Sequence, residues 1–125
     1  MIGYVTLGTN DIDRARGFYD ALLGEIGVAR IHDGDHITLW GIGRSGGLLG
    51  VIKPFDGEAA TAGNGAMVAI SVDSVDKVAQ LHAKALSLGG ADEGAPGPRG
   101  TRKNEFAYCR DLDGNKLAFF CMVSE

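Results

Sequence analysis

The chain is short of the features that would place it in a functional class at sight. Basic residues do not dominate: 12 Lys and Arg against 16 Asp and Glu leave a net charge of −4. That balance disfavours nonspecific nucleic-acid binding and adhesion to anionic lipid. No apolar run approaches the roughly 18 residues of a membrane span. The opening Met1-Ile2-Gly3-Tyr4-Val5 has neither the basic nor the apolar stretch of a secretory signal. Cysteines number only two, Cys109 and Cys121, both in apolar, strand-like runs. Reduced buried thiols in a cytoplasmic protein are the expectation, with a lone disulfide as the alternative. No Ser/His/Asp or Cys/His nucleophile pattern, P-loop or dinucleotide fingerprint is present. Glycine, by contrast, is abundant, at 20 of 125 residues. These glycines lie between apolar runs, so they mark turns and close backbone approaches, not disorder. With 45% apolar and 22% charged residues, the composition is that of one soluble globular domain able to bury a core.

A faint internal repeat organises the chain. Tyr4-Val5-Thr6-Leu7-Gly8-Thr9-Asn10-Asp11-Ile12-Asp13 lies over Met67-Val68-Ala69-Ile70-Ser71-Val72-Asp73-Ser74-Val75-Asp76, an offset of 63 residues. In each half a β-rich run ends in a polar break, Asn10-Asp11 or Asp73-Ser74, able to cap a helix. Helical periodicity follows, through Ile12, Ala15, Phe18, Tyr19, Leu22 and Leu23, and then through Val75, Val78, Leu81, Ala85 and Leu88. Gly24 and Gly89-Gly90 stop the two helices.

Strand signals come next, at Gly27–Ile31, Ile37–Trp40 and Leu48–Ile52, then near Ala91, at Glu105–Arg110 and at Lys116–Met122. Asp33-Gly34-Asp35, Arg44-Ser45-Gly46-Gly47 and Asp113-Gly114-Asn115 read as turns. Gly94 to Asn104 reads as a long loop. The expected fold is α+β: two βαβββ modules whose strands form a curved eight-stranded sheet around a cleft. Module one covers about residues 1–55, a linker about 56–65, and module two about 66–125 of a single domain.

Three stretches carry a family resemblance. Thr9-Asn10-Asp11-Ile12-Asp13-Arg14-Ala15-Arg16-Gly17-Phe18-Tyr19 with Leu22-Leu23-Gly24 is one; Val68-Ala69-Ile70-Ser71-Val72-Asp73 is the second; Arg110-Asp111-Leu112-Asp113-Gly114-Asn115-Lys116-Leu117 is the third. In this order they resemble the glyoxalase/bleomycin-resistance/extradiol-dioxygenase superfamily, the vicinal oxygen chelate proteins. The resemblance implies a homodimer and a metal held by four equivalent strand positions. Those positions fall here on Tyr4, Gly50, Met67 and Ala118. Gly and Ala offer no donor, a thioether prefers soft metals, and a phenol is a poor ligand unless ionised. No metal and no other cofactor is therefore expected at the family site.

Other candidates stand beside bland readings. His32 and His36 around Asp33-Gly34-Asp35 suggest either a metal clip or a solvated turn. His82 reads as a helix surface or packing residue, and Asp111/Asp113 as turn chemistry. Tyr4 and Met67 either fill the vacated metal site or line an apolar ligand pocket. Trp40 is either core or a flat wall against a ligand. Lys53, and Arg102 with Glu105 near Arg99 and Lys103, either ring a cleft mouth or belong to solvated loops. The leading expectation is a metal-free small-molecule binding protein, with Tyr4, Trp40, Lys53, Met67, Arg102 and Glu105 as ligand contacts. The alternatives are a lyase, isomerase or dioxygenase with relocated metal ligands, using Tyr4, His36, Arg102 and Glu105, and a non-catalytic protein with a filled cleft.

Overall fold

A computed structural model describes residues 1–43 and 46–123. Two compact units, Met1–Ala62 and Gly63–Glu125, divide the chain. The first runs β1 (Tyr4–Gly8), α1 (Ile12–Gly24), β2 (Ala29–Asp33), β3 (Ile37–Gly41) and β4 (Leu48–Ile52). The second repeats the series as β5 (Val68–Ser71), α2 (Val75–Ser87), β6 (Ala91–Gly97), β7 (Asn104–Arg110) and β8 (Lys116–Met122). The eight strands are dealt four to a sheet, in the orders β1-β4-β3-β2 and β5-β8-β7-β6. In each sheet the first strand pairs parallel with the last and the other pairings are antiparallel. The chain is thus α+β, a βαβββ pattern written twice.

The repeat is visible in the atoms. Both helices have 13 residues. Asp11 accepts from the Arg14 N–H and Ser74 from the Lys77 N–H, each at 3.1 Å, so one cap closes both first turns. The apolar stripe of α1 is buried as the periodicity predicts: Ile12, Ala15, Phe18, Tyr19, Leu22 and Leu23. In α2 the buried set is Val78, Leu81, His82 and Ala85; Val75 stands exposed at the helix start. His82 is in the core because its Nε2 meets the Asp92 carboxylate of β6 at 3.0 Å, which satisfies the ring. After α2 the chain turns into β6 at Gly90, where a Cβ would meet the carbonyl oxygens of Ala85 and Arg110 at 2.8 Å. Only glycine admits that approach.

Two readings need correction. The strand at Gly27–Ile31 lies two residues later, at Ala29–Asp33. The loop expected over Gly94–Asn104 is strand as far as Gly97. Its pairing with β7 slips twice, between Asp92 and Gly94 and between Gly94 and Gly97. Those bulges erase the period-2 signal. Pro96 costs no ladder bond because β6 is an edge strand. The turn at Asp33-Gly34-Asp35 closes with the Gly34 N–H donating to Ile37 O at 2.8 Å. Arg44 and Ser45 of the other expected turn lie outside the described residues. At Asp113-Gly114, Asp111 Oδ1 accepts from the Asp113 and Asn115 N–H groups, both at 2.9 Å, which is turn chemistry as read. Both cysteines are free and buried. Burial pushes the Cys109 thiol up to about 12, with Asp111 and Asp92 adding to it.

Candidate functional site

A strand exposes alternate residues on opposite faces, so register assigns every side chain of a sheet to the helix-covered face or the far face. In the first unit Leu7, Val51 and Thr38 lie in one row. Trp40 shares their face, 1% exposed, and its Nε1–H donates to Asp20 Oδ1 of α1 at 2.9 Å. Tyr19 packs on it, with ring centroids 5.6 Å apart. Trp40 is therefore core; a side chain enclosed on the helix side offers no wall to a ligand on the far face.

The same face carries a salt-bridged seam. Arg30 grips Asp20 through Nε (3.0 Å) and Nη2 (2.8 Å) and reaches Asp33 through Nη1 at 2.9 Å. Asp33 Oδ1 also accepts from the Thr38 hydroxyl at 2.7 Å. Those bonds hold both carboxyls below their ordinary range, Arg30 being the main cause for Asp20 and Thr38 for Asp33. Asp33 is thereby committed, and among the described residues no group of three or more His, Cys, Asp and Glu converges on a possible metal position.

The far face of the first sheet carries Tyr4 beside Leu48, then Thr6, Gly50 and Leu39 in one row, then Ile52 beside Ile37. Tyr4 is 58% exposed. Gly50 is filled by its neighbours: a Cβ there would meet Leu39 Cδ2 at 2.5 Å, Thr38 O at 3.3 Å and Thr6 Cγ2 at 3.4 Å. The equivalent row of the second sheet is Ala69, Ala118 and Tyr108, with Ala118 fully buried. Gly50 and Ala118 thus hold equivalent places, each in the last strand of its sheet and paired to the first, while Met67 lies just before β5 and Tyr4 opens β1. None of the four suits a divalent metal: Gly50 and Ala118 have no donor, Met67 offers a thioether and Tyr4 a phenol.

The second sheet is differently furnished. Its helix side is apolar: Ile70, Phe119 and Ala107 form one row, Leu117 and Cys109 another. Its far face bears Phe106, Tyr108 and Phe120. Phe106 stacks on Phe120 at 5.1 Å and on Tyr108 at 6.0 Å between centroids. Two cations lean on the Tyr108 ring, the Arg99 guanidinium at 5.6 Å and the Lys116 ammonium at 5.3 Å. Arg99 is held by the carbonyls of Gly97 (2.8 Å) and Ala95 (2.6 Å). Arg110 sits opposite Lys116 in the register. It donates from Nε to Glu93 at 2.7 Å and from Nη1 to Gly114 O at 3.2 Å. That bond holds the Glu93 carboxyl down. Beside this row lies a pocket of about 380 Å³ lined by Gly63, Asn64, Gly65, Ala66, Met67, Arg110 and Lys116.

Of the side chains singled out in the sequence, Met67 alone lines this pocket. Glu105 pairs with Cys121 on the α2-covered face, the opposite side from Phe106 and Tyr108. Arg102 is exposed in the loop before β7. Lys53 is exposed just past β4, its N–H donating to His36 O at 2.9 Å. The stacked aromatics, Lys116 and Arg110 were missed. The signal was there: along β7, Asn104, Phe106, Tyr108 and Arg110 alternate with Glu105, Ala107 and Cys109, large and polar against mostly small.

Comparison with known proteins follows the same lines. The family model described as Glyoxalase/Bleomycin resistance protein/Dioxygenase superfamily matches residues 1–119. Among solved structures, a glyoxalase/bleomycin resistance protein from Albidiferax ferrireducens T118 is 31% identical, with a TM-score of 0.89 over 98% of this chain and 99% of that one. A glyoxalase/bleomycin resistance protein/dioxygenase family enzyme from Burkholderia phytofirmans PsJN shares 19% identity, with a TM-score of 0.78 over 97% and 98%. A lactoylglutathione lyase from Agrobacterium tumefaciens shares 19%, with a TM-score of 0.71 over 97% and 92%. No curated protein sequence matches.

Proposed function

The chain belongs to the glyoxalase/bleomycin resistance protein/dioxygenase superfamily, and on that premise we propose that it binds a small organic molecule without a metal. The observation that carries this reading is the pocket of about 380 Å³ beside the aromatic row of the second sheet. Its volume lies in the range of small-molecule sites, and its lining sets the polar groups of Asn64, Arg110 and Lys116 beside the apolar Ala66 and Met67. Met67 is the apolar contact, 44% exposed. Tyr4, exposed on the far face of the first sheet, is kept as a candidate of the first unit by itself, with a polar handle. Lys53 and Arg102 stay as solvent-facing candidates. Trp40 and Glu105, which face helices, are left out. The enzyme alternative with relocated ligands would need His, Cys, Asp or Glu side chains gathered in a group, and the described residues hold none. A cytoplasmic homodimer belongs to the same proposal. The two free, buried cysteines support the compartment, and the dimer rests on the family alone.

Thermal shift with a panel of small aromatic and aliphatic compounds tests the proposal, with elemental analysis of the same sample. A true ligand at a hundred times its Kd should add about 2.7 kcal/mol and raise Tm by several degrees, with no stoichiometric metal present. A panel without a single saturable shift, or one whose shifts vanish on chelation, sinks it.

A further inference from the structure

We infer that the ligand of this pocket carries an oxyanion, a carboxylate or a phosphate, on an apolar body, with Lys116 as its counter-ion. The inference rests on the reading that a small organic molecule binds here, and adds its chemical class. Lys116 is half-buried, its ammonium lies over the Tyr108 ring, and Glu93, bonded to Arg110, feels its charge from beyond ion-pair distance. Arg16, Arg30, Lys77 and Arg110 each pair with a carboxylate of their own unit. Two cations that share one carboxylate, the second of them sheltered against a π-face with no direct ion pair, are placed to receive another anion.

The surroundings agree. No Asp or Glu lines the pocket, so a cationic ligand would meet like charge. Glu93 neutralises Arg110, but the two donor bonds of Arg110 come from Nε and Nη1 and leave Nη2 for a second oxygen. Arg110 and Lys116 in the lining share the one nearby carboxylate, Glu93, and the single positive charge left over suits one anionic group. Opposite the cations the rim is Gly63-Asn64-Gly65-Ala66, with Gly63 at φ +74° and Gly65 at φ +95°. Two missing side chains let a charged head approach the backbone closely. Met67 then lies where the apolar body would rest, and its thioether suits a ring.

The test is NMR titration of the ¹⁵N-labelled full chain with benzoate, phenyl phosphate and benzyl alcohol. The two anions separate the carboxylate and phosphate sources, and the alcohol supplies the ring without charge. At low salt at least one anion should bind about tenfold more tightly than the alcohol, shifting the amides of Gly65, Met67 and Lys116. Lys116→Met should abolish that preference and Lys116→Arg should keep it. Arg14→Met, which removes the same charge from the exposed face of α1, should leave it intact. A well-dispersed spectrum of Lys116→Met shows that the variant is folded. Equal binding of all three probes to wild type overturns the oxyanion inference and leaves small-molecule binding standing. An anion preference that survives Lys116→Met overturns the assignment to this residue. Silence from every probe overturns the inference, while the compound panel judges the broader reading separately.

Discussion

The two units share a backbone plan and differ in what they spend side chains on. The first joins helix to sheet with charge: Arg30, Asp20, Asp33 and the Trp40 N–H form one seam on the α1 side. The second joins them with oil, Phe119, Leu117, Cys109 and Ala107 beneath Leu81 and Ala85, with His82 against Asp92 as the polar contact. On the far faces the contrast reverses. The first mixes Tyr4, Thr6 and His32 with aliphatic side chains and bears no cation–π contact among the described residues, while the second carries three stacked rings and two cations. A duplicated fold thus keeps its caps and strand order while each copy distributes charge differently between its helix-covered face and its far face.

The sharpest way to break that contrast is to cut each helix-side seam. Phe119→Ala should cost about 3–5 kcal/mol, because a fully buried ring leaves a cavity that neighbouring strands cannot close. Chemical denaturation of both proteins gives the difference. Trp40→Phe should cost about 1–2 kcal/mol, for a smaller ring and one lost hydrogen bond to a charged acceptor. A loss as large as that of Phe119→Ala would mean that the first unit depends on packing as much as the second.

The smallest expected effect is the most diagnostic. Asp20 titrates below its ordinary value in the folded chain because Arg30 binds its ionised form, with burial opposing. A carboxyl with a depressed folded pKa adds stability that is full above the unfolded pKa and fades as pH falls through the folded one. Melting curves from about pH 5 downward should therefore fall more steeply for wild type than for Asp20→Asn. The gap should be at most about 1 kcal/mol, because the Asp20 side chain is 45% exposed and solvent screens the pair. Parallel curves would show that the seam is ornamental.

The plan of the fold was readable because repeat, caps and helical stripes each have a strong local signal. Asp11 and Ser74, the α1 stripe, and the Asp113-Gly114 turn stand where periodicity and capping chemistry put them. Strand signals were weaker where backbone irregularity interfered. Two bulges in β6 hid Gly94–Gly97. Which face a strand residue occupies depends on register, which single-strand patterns only suggest; hence Trp40 could be read either as core or as wall. Lys116 and Arg110 face each other across two strands. Only the alternation along β7, read jointly with β8, brings them and Tyr108 onto one surface.

Gly50 separates room from chemistry. The Leu39 methyl that a Cβ there would meet is the free end of a half-buried side chain, and a turn of that chain clears the space. Ala118 would still supply no donor, and Tyr4 and Met67 only poor ones. A carboxylate installed at Gly50 would therefore stand alone, a charge without the partners that a metal ion needs.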